Sequence, residues 1–158
     1  MKPDRIKKSL FTLLFVVFLT GCATTHLKQE KGSVSFESLT VIGTDWQVYA
    51  QENGIDLQTG ISERSVTVLG HYPEYVDLTE QLGVESMQIP MEKWERMNPG
   101  RQWRTTVRYL NRQIRNDHHF RLATPIEQAR PGSYYVRELQ YLSGKGYQLS
   151  PDSLWLVR

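Results

Sequence analysis

From Val34 to Gly70 apolar and polar residues alternate in short runs rich in β-branched and aromatic side chains: Val34-Ser35-Phe36, Leu39 to Ile42, Trp46-Gln47-Val48-Tyr49 and Val66-Thr67-Val68-Leu69. A period of two places successive side chains on opposite faces, so each run predicts a strand. Asn53-Gly54 is the strongest turn signal, and Thr59-Gly60 and Gly70 supply further breaks between antiparallel neighbours. The period then lengthens. Pro90 to Met97 suits one or two helical turns, Asn98-Pro99-Gly100 reads as a turn, and Gln102 to Asn116 predicts the principal helix. In it Trp103, Val107, Leu110 and Ile114 follow at spacings of 4, 3 and 4, which puts them on one face as core candidates. Asn116-Asp117 supplies the stop.

Beyond that helix, Phe120 to Leu122 predicts a short strand. Thr124-Pro125-Ile126-Glu127 carries an N-cap with proline at the first helical position, and Pro131-Gly132 breaks the chain. Tyr134 to Leu142 and Tyr147 to Val157 read as a closing pair of extended segments that turn at Gly144-Lys145-Gly146. The expected class is α+β, with mainly antiparallel strands at both ends of the chain packed on one principal amphipathic helix at about 102–116.

The N-terminal pattern differs in kind. Lys2, Arg5, Lys7 and Lys8 precede an almost purely apolar stretch from Leu10 to Leu19. Ten residues rising about 1.5 Å each cover roughly half of a ~30 Å hydrocarbon core, which predicts a cleaved export signal rather than a membrane span. Leu19-Thr20-Gly21-Cys22 resembles a bacterial lipobox. That resemblance implies removal of residues 1–21 as a signal peptide, a diacylglyceryl group on the Cys22 sulfur, and acylation of the freed amine by a fatty acid such as palmitate. Several acyl chains hold a protein at a membrane where one does not. By analogy with sorting in Gram-negative enterobacteria, Ala23 rather than Asp after the cysteine implies the outer membrane. Residues 22–33 then form a lipidated, polar tether, reaching on the order of 20 Å as a random coil, and residues 34–158 a single periplasmic α+β domain.

Charge sharpens this picture. The 158 residues carry a net charge of +2, but four basic residues and one acidic residue lie in 1–21, so the remainder is at −1. That argues against a nucleic-acid partner. Cys22 is the only cysteine, and once lipidated it leaves no disulfide to staple the fold. The charge is nevertheless polarised: residues 74–95 hold six acids and one lysine, while residues 101–130 hold seven arginines and two acids. Arg101, Arg104, Arg108, Arg112 and Arg115 recur at spacings of 3, 4, 4 and 3 and share the helix face away from the apolar stripe. Arginine pairs bidentately with carboxylate or phosphate, so the ridge suits an acidic protein surface, a lipid head group or an anionic glycan. The alternative is internal pairing with the acidic segment 74–95.

Candidate chemistry is sparse. His118-His119 beside Asp117 has no accompanying ligand set, so no metal is expected, and the imidazoles are expected to satisfy carbonyls at the helix C-terminus, where the dipole favours their charged form. No nucleophile elbow, phosphate loop or dinucleotide fingerprint is present, and no cofactor is expected. Asp45, Glu52 and Asp56 are acids that folding could bring together as a carboxylate pair. Trp46, Trp94, Trp103 and Trp155, with eight tyrosines, offer either core packing or a glycan-stacking platform. Residues 107–130, with Tyr109-Leu110, Phe120-Arg121-Leu122-Ala123-Thr124-Pro125 and Ala129-Arg130, look like the helix and following segment of formylglycine-generating-enzyme-like, C-type-lectin-like domains. Ala123, Pro125 and Gln128 depart from that pattern and the catalytic cysteines are absent, so the likeness implies a degenerate binding fold and transfers no site residue.

The expected function is therefore that of a non-enzymatic, outer-membrane-anchored lipoprotein. It would bind an envelope protein as part of a secretion, pilus, conjugation or surface-polymer machine. A peptidoglycan- or glycan-binding lipoprotein and a small envelope hydrolase are the alternatives.

Overall fold

The computed structural model describes residues 39–43 and 45–158, so Cys22, the signal segment, the tether and the run Val34-Ser35-Phe36 lie outside the described residues. The fold is α+β. Its centre is a four-stranded sheet built from β3 (Val66–Leu69), β4 (His119–Leu122), β5 (Gln148–Leu149) and β6 (Trp155–Val157) in the order β3-β4-β6-β5. β3 and β4 run parallel, with Val66 opposite His119 and Leu69 opposite Leu122. A parallel pair needs a crossover, and three helices supply it: α2 (Glu74–Leu82), α3 (Met91–Glu95) and α4 (Pro99–Arg115). β6 pairs antiparallel with both β4 and β5. The expectation of mainly antiparallel strands thus fails at β3–β4, where the long helical connection sets the direction.

Both sheet edges are covered by single-residue bridges, Val41 beside Leu149 and Glu85 beside Thr67. Leu39 to Ile42 is accordingly not a full strand, although Ile42 N–H donates to Leu149 O at 3.0 Å and Leu149 N–H to Thr40 O at 3.0 Å. Alternation along the strands sorts the core onto two faces. One face carries Leu69, Phe120, Leu122 and Leu156 and packs against Leu110 of α4 and Leu139 and Leu142 of α5 (Tyr134–Ser143). The opposite face carries Val66, Trp155 and Val157 and is closed by Ala50 of α1 (Trp46–Glu52) and Ile55 of β1 (Ile55–Asp56). β1 forms a small antiparallel hairpin with β2 (Ile61–Ser62), with Gly60 at φ 70° in the turn. Among the described residues no helix is long and apolar enough to cross a membrane.

Three segments depart from the alternation reading. Trp46 to Tyr49 is helical: Asp45 caps the helix by accepting from Gln47 N–H at 3.0 Å, and Trp46 stacks on Tyr49 three residues on. Asn53-Gly54 therefore turns from α1 into β1 rather than between two strands. Residues 74–82 form a helix with Glu74 and Asp77 in its first turn, where the helix dipole favours acids, and it ends at Gly83 with φ 63°. The first half is thus not mainly β. Tyr134 to Ser143 is also helical, capped by Ser133, which accepts from Val136 N–H at 3.3 Å. The Gly144-Lys145-Gly146 turn consequently leads from α5 into β5, and Tyr147 to Val157 contains the β5–β6 hairpin.

Two boundaries also shift. Asn98 caps α4 by accepting from Arg101 N–H at 2.9 Å, so Pro99 and Gly100 begin that helix instead of forming a turn before it. The Thr124 hydroxyl accepts from His71 N–H at 2.8 Å and does not cap the short 3-10 turn Ile126–Gln128.

Candidate functional site

Two concave regions flank α4, and the residues that build them follow from the rotation of that helix. Its buried residues are Thr106, Leu110 and Gln113. Of the four apolar core candidates only Leu110 is fully buried; Trp103, Val107 and Ile114 are half-buried. The inward stripe is rotated from the apolar one because the polar members find partners: the Thr106 hydroxyl donates to Gln102 O at 3.3 Å and Gln113 Nε2 donates to Glu85 Oε2 at 3.0 Å. Trp103 instead packs beside α5, with its ring 6.1 Å from Tyr141 and the Arg137 guanidinium 4.1 Å above it.

Arg101, Arg104, Arg108, Arg112 and Arg115 are all exposed on the outer face. Among the described residues the ion pairs are Arg64–Asp117 and Arg96–Glu92, so no ridge arginine is neutralised by the acidic segment 74–95. Arg108, Arg112 and Arg115 line an open groove of about 720 Å³ whose other wall is the segment Val84 to Ile89. Glu85 is the acid on that wall and is engaged by Gln113. Two hydroxyls of the groove walls, Ser86 Oγ and Tyr109 Oη, are buried without a hydrogen-bond partner. Arg112 stacks over the Tyr109 ring at 5.3 Å. Burial raises the Tyr109 pKa, partly offset by the nearby polar groups of Gln113 and Thr67.

The second region is a cavity of about 220 Å³ between β3, the start of α2, the segment 87–94 and α5. Val68, Leu69 and Ile89 give it an aliphatic lining, to which Met87 and Met91 add polarisable sulfur. Tyr75, Trp94, Tyr134 and Tyr135 supply aromatic walls, and the Trp94 and Tyr134 rings meet edge to face at 5.2 Å. Gln102 fixes that pair. Its Nε2 donates to Trp94 O at 2.9 Å, and its Oε1 accepts from the Tyr134 hydroxyl at 2.7 Å.

Glu138 of α5 faces this apolar enclosure at 8% exposure. No cation lies within ion-pairing distance of its carboxyl among the described residues, and burial alone pushes its pKa up to about 8. It in turn helps burial raise the pKa values of Tyr75 and Tyr135, which places the carboxyl near both rings. Sequence periodicity did not find Glu138, because its segment was read as extended. The signal was present in the spacing of Tyr135, Leu139 and Leu142 by 4 and 3 behind a Ser133 cap.

The histidines occupy the core rather than a site. His118 Nδ1 lies 2.9 Å from Thr67 Oγ1 and His119 Nδ1 lies 3.0 Å from Ser62 Oγ, so the two rings diverge instead of capping α4 together. Burial lowers both pKa values, that of His119 to about 4, with Arg64 adding to the effect. Both are therefore neutral at pH 7, which overturns the expectation of imidazolium at the helix end; desolvation outweighs the dipole. The Ser62–His119 contact has a nucleophile's geometry, but a base titrating at about 4 is poorly matched to neutral pH, and the buried Nε2 has no acid to orient it. His71 is fixed as an acceptor, its Nε2 taking the Arg130 N–H at 3.0 Å. Among the described residues no group of three His, Cys, Asp or Glu side chains is arranged to hold a metal ion.

The remaining sequence candidates are dispersed. Asp45 caps α1, and Asp56 accepts from Gln58 and Thr59 N–H, so each serves its own turn. Trp155 is 1% exposed in the core, under the Arg121 guanidinium at 5.2 Å, and Trp46 donates to Asp152 at 3.0 Å. These two are therefore separate from the Trp94–Trp103 cluster around Tyr134. Compared with protein-family models, with curated proteins and with solved structures, the chain matches none.

Proposed function

We propose that the protein is a lipid-anchored, non-enzymatic binding component of a bacterial envelope, held through Cys22 at the outer membrane, with its domain in the periplasm and its α4 face engaging an acidic segment of another envelope protein. The observation that carries the binding surface is the exposure of five arginines, none neutralised by an ion pair among the described residues. An exposed ion pair within the fold would contribute little, whereas guanidinium forks left open can each take a carboxylate bidentately. The groove beside Arg108, Arg112 and Arg115 gives such a segment a place to lie. The lipid anchor rests on the Leu19-Thr20-Gly21-Cys22 pattern and its basic and apolar prelude.

The test is crosslinking and affinity purification of the full-length protein from native membranes, beside Arg108→Glu with Arg112→Glu. Because both arginines are exposed and unpaired, the double variant should unfold within about 0.5 kcal/mol of wild type. One envelope protein recovered with wild type and lost with the variant is the expected result. Equal recovery would overturn the arginine surface, and sedimentation with purified sacculi in the absence of a protein partner would move the assignment to a glycan. Failure of Cys22→Ser to abolish metabolic labelling by a fatty acid would remove the anchor.

A further inference from the structure

We propose that the cavity between β3 and α5 is a binding site for the alkylammonium head of a small cationic molecule, with Glu138 as its counter-ion and Tyr75, Trp94, Tyr134 and Tyr135 as its aromatic walls. This goes beyond the arginine surface, which recognises the opposite charge. Three features of the site converge on that ligand. Aromatic faces carry negative electrostatic potential and attract a cation that has shed its water. The thioethers of Met87 and Met91 add polarisable contact for its methyl or methylene groups. A carboxyl that is 8% exposed and has no cation within ion-pairing distance supplies the charge such a ligand lacks. A neutral apolar guest would leave that carboxyl uncompensated; an anion would be repelled by it. The volume of about 220 Å³ admits a head group with a short arm.

Binding exchanges a proton for the ligand. Near neutral pH the empty site holds Glu138 as the acid; the incoming cation takes the carboxylate, and the proton leaves to solvent. Affinity for a cation that cannot itself titrate should therefore rise about tenfold per pH unit below pH 8 and level off above it. Other titratable groups face the same space: Tyr134 and Tyr135 from α5, His71 and Tyr72 from the loop before α2, and Tyr75 from α2. Burial keeps the Tyr75 and Tyr135 hydroxyls protonated and the His71 ring neutral over that range. Arg130 and Glu74 act on His71 in opposite directions.

The experiment titrates the full-length protein in non-ionic detergent with choline and with its uncharged carbon isostere 3,3-dimethylbutanol, at pH 6.5, 7.5 and 8.5, following heat and tryptophan fluorescence. Butylamine replaces choline in a parallel series to separate primary from quaternary heads. The expected result is saturable binding of choline, butylamine or both, at least tenfold tighter than the isostere at pH 8.5 and weakening about tenfold per unit below pH 8. In Glu138→Gln both the charge preference and the pH dependence should vanish. Equal binding of cation and isostere, a cation affinity flat with pH, or no saturation by either cation would each overturn the proposal. Since the wild-type pH series and isostere comparison stand alone, an unfolded Glu138→Gln variant would not shelter it.

Discussion

Replacing Glu138 by glutamine measures the cost of an acid held in an apolar cavity. Burial raises the carboxyl pKa from 4.5 to about 8. Between those values the folded protein keeps a proton that the unfolded chain has released, so stability falls as pH rises. It is at its fullest below about pH 4.5, declines through the interval, and bears the whole penalty above about 8. Each pH unit of that interval is worth about 1.4 kcal/mol, which sums to about 5 kcal/mol. Glutamine keeps the shape and does not titrate, so any offset from its amide is the same at every pH. Urea unfolding of both proteins at pH 5, 6, 7 and 8, followed by tryptophan fluorescence, gives the difference directly. The histidines titrate alike in both and drop out of it. The variant should gain on wild type by about 1.4 kcal/mol per pH unit, ending several kcal/mol ahead of its standing at pH 5. Parallel curves would refute the reasoning, since they would mean that the carboxylate is solvated or paired in the folded state.

Leu110→Ala removes the fully buried apolar contact of α4 with the sheet; it should cost about 3 kcal/mol, measured by the urea midpoint, because the flanking buried residues Thr106 and Gln113 are polar and hydrogen-bonded and cannot collapse into the gap. A cost under about 1 kcal/mol would show that α4 is loosely packed. His119, with its pKa lowered to about 4 by burial first and Arg64 second, stabilises the fold above its unfolded pKa of 6.5 and loses that contribution as pH falls toward 4. Its imidazole resonances should remain those of a neutral ring at pH 5.5 in an NMR titration, and an ordinary midpoint near 6.5 would contradict its enclosure.

What the sequence disclosed depended on how many signals agreed. In α4, period, cap and stop coincided, so the helix and its arginine face were legible. The core stripe was read from hydrophobicity alone and missed Thr106 and Gln113, whose burial depends on partners at Gln102 and Glu85. In α1 and α5 the aromatic and β-branched content of Trp46 to Tyr49 and Tyr134 to Val136 imitated a strand, while tertiary packing and the caps at Asp45 and Ser133 decided for helix. β3 and β6 are buried on both faces and so have little alternation to read. The cavity was illegible for a further reason: its walls come from residues 68 to 138, and only the parallel pairing of β3 with β4 helps bring those segments together.

That assembly leaves a thin partition between two sites of opposite charge. Met87 and Ile89 line both the cavity and the arginine groove, with Glu138 on one side and Arg108 and Arg112 on the other. If the partition is rigid, the sites can influence one another only through the electric field. Exposed guanidiniums are screened at physiological salt over about 8 Å. Arg108→Glu with Arg112→Glu should then change choline affinity less than about twofold at 0.15 M salt, and Glu138→Gln should leave partner recovery unchanged. Combining the three substitutions should give additive effects, as expected of sites that share no partner. A departure from additivity that persists at high salt would be mechanical: it would require the 87–89 segment to occupy different positions when each site is filled, and would make the two binding events one linked equilibrium.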